Sequence, residues 1–411
     1  MFRNFIEPYV FRFITPLRQQ KRINLIRKKC KAVLVFLVSS LSMWRNQALF
    51  DRLRRDVRFD PVIVLFPFSG YSQDLRQNSI QELKSYFDGI SVPYLDLSNE
   101  SNPGQILREL IDPDLIFYPQ PYNDLFGNDL DSNYFNERLL CYSPYALQII
   151  EGDWVYKSML LNSAWRIFFE ADFRLTYARR LLYNKGRNVR ICGDSMADVF
   201  SEAPQRDVWK TQPKKKKVIW APHFTIQDTS HFVRNSFLWL NDFMLVLAAR
   251  YQNQIQFAFK PHPRLLSELY SHPDWGKEKA DAYYLKWASG NNTQLETGSY
   301  VDLFKESDAM IHDSVSFSAE YHYTGNPVMF TSHNPASLTA GLTVLGEQAI
   351  LAHYQGTTED EIESFLNNVV IEGNDPMKQL RNDFRAKYLT PPDSGNVAEN
   401  IYQELVKSIW S

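Results

Sequence analysis

Residues 31–38 read Lys31-Ala32-Val33-Leu34-Val35-Phe36-Leu37-Val38. Seven consecutive apolar residues suit a strand buried on both faces, as in a parallel sheet covered by helices. A helix that crosses a bilayer needs about 20. Outward from this run the pattern repeats. Further strands are expected at 62–66, 92–97, 114–118 and 188–193, with helices over 46–55, 73–87, 103–110 and 133–140 between them. A mixed stretch extends to about 183. Strands that alternate with helices mean βαβ units and a parallel sheet.

The rhythm breaks at 203–217, where Ala203-Pro204, Gln212-Pro213 and Lys214-Lys215-Lys216-Lys217 carry no core-facing period. This stretch reads as an interdomain linker. The lysine run suits a solvated strand entry or, alternatively, phosphate or lipid head groups. A second series follows, with strands at 218–221, 255–260, 309–312 and 328–330. Helices lie between, over 236–251, 265–270, 281–287 and from about 316. The end is helical over 359–368, 376–388 and 396–410. The expected organisation is therefore a basic arm over 1–30, a Rossmann-like acceptor domain over 31–205, a Rossmann-like nucleotide-donor domain over 217–390, and a return helix over 391–411 that packs on the first domain.

The arm stands apart by composition. Phe2, Phe5, Ile6, Tyr9, Val10, Phe13, Ile14 and Leu17 form one apolar stripe at helical spacing, flanked by eight basic residues between Arg3 and Lys29. Such a helix packs on its own protein or lies on an anionic membrane surface.

The whole chain has 411 residues, 45 of them basic and 47 acidic. That length suits two domains, and the near-neutral balance argues against a nucleic-acid partner. Cys30, Cys141 and Cys192 are far apart and odd in number, which suits a reducing cytosolic compartment. No small-residue cleavage site follows the first apolar run, so no signal peptide is read there. HxH, HExxH, Cys/His and GxxxxGK[ST] patterns are absent from the sequence, so neither a metal centre nor an ATP- or GTP-hydrolysing loop is expected.

Open parallel sheets bind ligands beyond the carboxyl ends of their strands, and three segments of the second half leave such ends. The first is Trp220-Ala221-Pro222-His223-Phe224-Thr225. The second is Lys260-Pro261-His262-Pro263-Arg264, where two prolines stiffen the turn and a histidine sits between two cations. His262 there can hydrogen-bond or protonate a phosphate oxygen, or is a turn histidine with ordinary solvated neighbours. The third is Asp313-Ser314-Val315-Ser316-Phe317-Ser318-Ala319-Glu320, which opens a helix whose free N–H groups favour an anion. Asp313 or Ser314 is expected to cap that helix. Ser316 shares a helix face with Glu320, and Glu320 is within reach of a ribose hydroxyl or simply faces solvent. The expected site is thus His223 and His262 as catalytic groups, with Lys260, Arg264, Asp313, Ser314, Ser316 and Glu320 holding the donor and its phosphates.

These motifs, ending in Ser307–Phe330 (SDAMIHDSVSFSAEYHYTGNPVMF), resemble the donor half of the CDP-glycerol glycerophosphotransferase family, the teichoic-acid and capsule polymerases. The family's late motif runs roughly D-Y-S-S, a few apolar residues, D or E, aromatic. Asp313, Ser316, Glu320 and Tyr321 match it, and Val315 stands where a serine is usual. The resemblance covers about 218–331. It implies a GT-B fold with two Rossmann-like domains facing a cleft, and a CDP- or CMP-linked donor as substrate with no separate cofactor. It also implies a lipid-linked or polymeric acceptor whose hydroxyl attacks phosphorus while CMP leaves. The implied location is cytoplasmic and peripheral, on the inner face of the cell membrane. Family members also carry a histidine in a W-H-G-T-like motif of the first half, whereas the first histidine here is His223. The general base is then His223 or an acid such as Glu151 or Asp153, or the acceptor differs. A glycosyltransferase using a CMP- or other nucleotide-sugar, and a non-catalytic nucleotide-binding member of an assembly complex, are the alternatives.

Overall fold

The computed structural model of the protein describes residues 7–70, 72–127, 129–210, 215–226, 235–333, 338–393 and 395–411. The chain divides into two compact units. The first comprises residues 1–146, 152–199 and 389–411, the second residues 147–151 and 200–388. Each is a parallel sheet between layers of helices, and both are Rossmann-like.

In the first unit the strands are β1 (Ala32–Val38), β2 (Phe59–Leu65), β3 (Tyr94–Asp96), β4 (Leu115–Tyr118), β5 (Leu139–Tyr142), β6 (Arg166–Phe169) and β7 (Val189–Ile191). They lie in the order β3-β2-β1-β4-β5-β6-β7, all pairs parallel. Successive residues of a strand point to opposite faces. Leu34, Phe36 and Val38 accordingly join one core with Leu115, Phe117 and the helix Val397–Trp410. Val35 and Leu37 join the other with Ile116, Tyr118 and Leu140.

The C-terminal helix buries Val397, Ile401, Leu405 and Ile409, a single stripe at four-residue spacing. Its first N–H groups find acceptors, because Val397 and Ala398 donate to the Asp198 carboxylate at 2.7 and 2.8 Å. The Asn396 side chain accepts from Glu399 N at 2.8 Å.

In the second unit the strands are β8 (Lys216–Ala221), β9 (Ile255–Phe259), β10 (Thr293–Leu295), β11 (Ala309–His312), β12 (Val328–Thr331) and β13 (Tyr354–Gly356). Their order is β10-β9-β8-β11-β12-β13, again all parallel. Val218 and Trp220 point to the core that holds the helix Phe237–Arg250. Ile219 and Ala221 point to the opposite one, with Leu303, Phe304 and Tyr321.

Several expectations change. Residues 133–138 form turns and β5 follows, where a helix over 133–140 was expected; Leu139–Tyr142 is a fully buried apolar run, too short for its period to separate strand from helix. The mixed stretch contains β6, and the three-residue strands β10 and β13 carry no readable pattern. The stretch 203–210 is not a free linker. Trp209 is buried in the second unit, its Nε1 donating to Leu303 O at 3.2 Å. Residues 211–214 lie outside the described residues. Lys216 and Lys217 pair with Asp308 and Glu306 at 3.2 and 2.8 Å, at the start of β8 and so far from the strand tips.

The arm is not detached either. The helix Thr15–Lys29 buries Ile23 and Ile26 in the first unit's core. Arg22 pairs at 2.7 Å with the fully buried Asp114, which also accepts from Val33 N at 3.0 Å. Of the apolar stripe, Phe2, Phe5 and Ile6 lie outside the described residues. Tyr9, Phe13 and Leu17 are exposed, while Phe11 turns inward and stacks on Tyr183.

Candidate functional site at the strand tips of the second unit

The order β10-β9-β8-β11-β12-β13 reverses direction of growth between β8 and β11. That switch point leaves a crevice beyond the carboxyl ends of the strands, where ligands of such sheets bind. The register sets Trp220 beside Phe259 and Ala221 beside His312. The segments that follow, 222–226, 260–264 and 313–316, therefore leave the sheet side by side.

Backbone bonds carry the β9 tip onto the β8 tip: Lys260 N donates to Trp220 O at 2.8 Å and His262 N to Pro222 O at 3.0 Å. Pro261 and Pro263 have no N–H to compete. The Arg264 N–H then donates to His262 Nδ1 at 3.1 Å. An N–H donor at Nδ1 requires a bare nitrogen there, so the neutral ring carries its proton on Nε2. Burial, then the charges of Arg264 and Lys260, lower the His262 pKa to about 4. At neutral pH His262 is an uncharged Nε2–H donor.

His223 lies beside it. The two ring centroids are 5.0 Å apart, and the Phe224 ring is 4.4 Å from each. His223 Nδ1 is 3.0 Å from Thr225 Oγ1. Burial, then His262 and Arg264, lower its pKa to about 4 as well. Arg264 stacks over Phe224 at 4.1 Å and pairs with Glu268 at 2.8 Å, its charge still largely exposed. Lys260 is buried, donates to Gly298 O at 2.8 Å, and is brought down to about 8 by burial against the opposing pull of Glu296. Two imidazoles and two cations thus gather at one tip, an arrangement suited to an oxyanion.

Asp313 has a different place from the one expected. Its carboxylate is buried and turned inward. Oδ1 accepts from His223 N at 2.6 Å, and Oδ2 accepts from Ser236 N at 2.5 Å and Ser236 Oγ at 2.8 Å. With its oxygens engaged by N–H donors of its own chain, the side chain is an internal tie between strand tips. Neither Asp313 nor Ser314 caps the helix Val315–Glu320 through its side chain. Ser314 is buried and Ser316 is exposed in the first turn. Glu320 is half-buried and accepts from Tyr300 OH at 2.6 Å. The partners Ser236 and Tyr300 carry no local signal in the sequence, because each meets its site only through the fold.

Beside His262 runs a groove of about 470 Å³, walled by Pro261, Pro263, Leu266, Tyr284 and Leu295. Of the proposed acids, Glu151 is exposed and belongs to the second unit, its N–H donating to Gly341 O at 2.9 Å. Asp153 is exposed on the first unit and pairs with Arg180 at 3.2 Å. Among the described residues no group of three or more His, Cys, Asp or Glu is placed to hold a metal ion.

No family model matches the chain, and no curated protein matches it. Solved structures do. A variant of the wall teichoic acid polymerase TagF superposes with a TM-score of 0.62 at 11% identity, over 97% of this chain and 98% of that one. The UDP-GlcNAc 2-epimerase from Neisseria meningitidis, bound to UDP-GlcNAc, gives 0.58 at 15% identity, over 92% of this chain and 100% of that one. The S. aureus MnaA structure with UDP gives 0.56 at 14% identity, over 92% and 96%. The shared property is the GT-B class of fold, with two Rossmann-like units.

Proposed function

We propose that the protein is a transferase that moves glycerophosphate or a polyol phosphate from a CDP-linked donor to an acceptor hydroxyl. The observation that carries this reading is His262, locked as an Nε2–H donor beside His223, Lys260 and Arg264 at the switch point of the second unit. The likeness to a teichoic acid polymerase supports it. In the reaction the acceptor oxygen forms a bond to the donor's outer phosphorus. The bond from that phosphorus to the bridging oxygen breaks, and CMP leaves with the electron pair. His262 donates to a phosphate oxygen on which charge grows, and Lys260 and Arg264 add positive potential. Ser316 and the N–H groups around it lie on the neighbouring tip for the same phosphates.

The hydroxyl proton needs an acceptor. His223 at about 4 is a weak base in the free protein. Burial is the main cause and the charges of His262 and Arg264 add to it; two bound phosphates oppose the second part and so raise its basicity. The experiment is incubation with CDP-glycerol, CMP-sugars and UDP-GlcNAc, with nucleotide release measured for each. CMP release from CDP-glycerol alone supports the reading; nucleotide release only from a sugar donor overturns it.

A second reading, a GT-B enzyme acting on a nucleotide-sugar, is favoured by the epimerase neighbours bound to UDP or UDP-GlcNAc. The same incubation decides between the two. Tight nucleotide binding with no turnover of any donor would mark a non-catalytic member of an assembly complex.

The partner for the N-terminal helix is an anionic membrane surface on the cytoplasmic side. Tyr9, Phe13 and Leu17 are 58%, 51% and 68% exposed although the opposite face is packed. Arg12, Arg18 and Lys21 flank them, also exposed. Basic residues around an exposed apolar stripe match the chemistry of anionic head groups over acyl chains. No helix among the described residues is long and apolar enough to cross a membrane.

A further inference from the structure

Asp313 Oδ2, Ser236 Oγ, Thr331 Oγ1 and the His312 carbonyl oxygen form a buried chain, with successive separations of 2.8, 2.7 and 3.2 Å. Asp313 and His312 come from the tip of β11, Ser236 from the start of the helix Phe237–Arg250, and Thr331 from the end of β12. All four residues are at most 1% exposed.

The protons of this chain can be counted. Three oxygen–oxygen contacts need three protons. The two hydroxyls supply two, and the two backbone N–H groups on the carboxylate are donors that cannot reverse. With Asp313 ionised, one contact is left without a proton. With Asp313 protonated, every contact is filled, and the chain runs from the carboxyl through Ser236 and Thr331 to the His312 carbonyl.

We propose that Asp313 is a positioning residue that holds His223 from inside the unit, and that its protonation state sets the direction of the Asp313–Ser236–Thr331–His312 chain. The proposal rests on the reading of His223 and His262 as the donor-phosphate site. The carboxylate grips the His223 backbone at 2.6 Å and the Ser236 backbone at 2.5 Å, and so ties the β8 tip to β11 at the switch point. Burial raises its pKa to about 6, against the hydrogen bonds from Ser236 and His223 that lower it. The titratable neighbours are His223 from the β8 tip, His312 on its own strand, and His353, whose ring meets His312 at 3.1 Å between Nε2 atoms. Burial lowers the pKa of all three, so they stay neutral through this range.

The test uses the full chain. In the ¹⁵N-labelled protein the His223 and Ser236 amide protons are expected far downfield, shifting together with one midpoint as pH crosses the carboxyl's titration. Ser236→Ala keeps the backbone donor but removes the hydroxyl, and should displace that midpoint. Asp313→Asn sets an amide NH₂ against N–H donors. It should abolish the common titration and move the His223 ring resonances while those of His322 stay in place. With CDP-glycerol, Asp313→Asn should lower kcat by about 100-fold, the scale of a small misplacement at a reacting centre, with KM little changed. Independent titration of the two amides, or a folded Asp313→Asn protein with wild-type kcat and unmoved His223 ring, overturns the proposal. If the wild type turns over no nucleotide donor, the functional reading fails and the amide and ring measurements still decide this one.

Discussion

The His223 and His262 rings sit 5.0 Å apart at 66° to each other, with the Phe224 ring against both. They come from neighbouring strand tips, and the same Arg264 charge depresses both. Two neutral imidazoles beside cations have spare donors and acceptors for a phosphate, and each can be tested alone.

His262→Ala should lower kcat for the CDP donor by about 100- to 1000-fold, the cost of one donor aimed at developing charge. The melting transition should stay near that of the wild type, because the ring is only half-buried at a strand tip. His262→Gln, which can present an N–H in a similar place, should recover part of the loss. Equal rates for His262→Ala and the wild type would remove His262 from the mechanism.

His223→Ala and Ser316→Ala should separate by kinetic signature. Loss of a base lowers kcat, and loss of a binding contact raises KM. The His223 change is expected in kcat. Ser316→Ala is expected to weaken donor binding modestly, because the N–H groups of the turn remain. Steady-state kinetics over a range of donor concentrations checks both.

Stability should fall as pH drops from about 6.5 to about 4. The pKa values of His223 and His262 are lowered to about 4 in the folded chain, mainly by burial. Burial also lowers those of His312, His322 and His353. Over that window the unfolded chain binds more protons at histidine, so acid favours unfolding. Asp313, raised to about 6 by burial, works the other way between its unfolded value near 3.8 and 6, and offsets part of the loss. Urea titrations from pH 4.5 to 7.5 test the balance; a flat midpoint would contradict it.

Asp198→Ala should destabilise the first unit by about 1–3 kcal/mol, because two buried N–H groups at the start of the C-terminal helix lose their acceptor. The His262 site lies in the other unit. Denaturant midpoints should therefore shift while donor affinity at low temperature is kept.

Replacing Tyr9, Phe13 and Leu17 by serine should release the protein from vesicles rich in anionic lipid, and salt should do the same. Each basic residue near such a surface contributes about 1 kcal/mol. Deleting the whole segment is a poorer test, because Ile23, Ile26 and the Arg22–Asp114 pair belong to the core. Unchanged sedimentation with vesicles would rule out this face as the contact.

The sequence by itself determined the elements whose burial is written locally. The run 32–38 is apolar without interruption because β1 is covered on both sides. The prolines around His262 mark a stiff strand tip, and Val397, Ile401, Leu405 and Ile409 declare a helix with one buried face. The gathering of histidines and cations was legible for the same reason, since each motif follows its own strand. Only the tertiary structure decided the strand order that sets β8 between β9 and β11 and puts those motifs side by side. It also decided that Asp313 turns inward to Ser236, a partner 77 residues away. Which side of the N-terminal helix meets the protein, Phe11 and Ile23 rather than Phe13 and Leu17, was settled there too. A periodic pattern reports that a face is apolar. What covers that face, and which distant donor reaches a buried oxygen, depends on contacts that exist only once the chain has closed on itself.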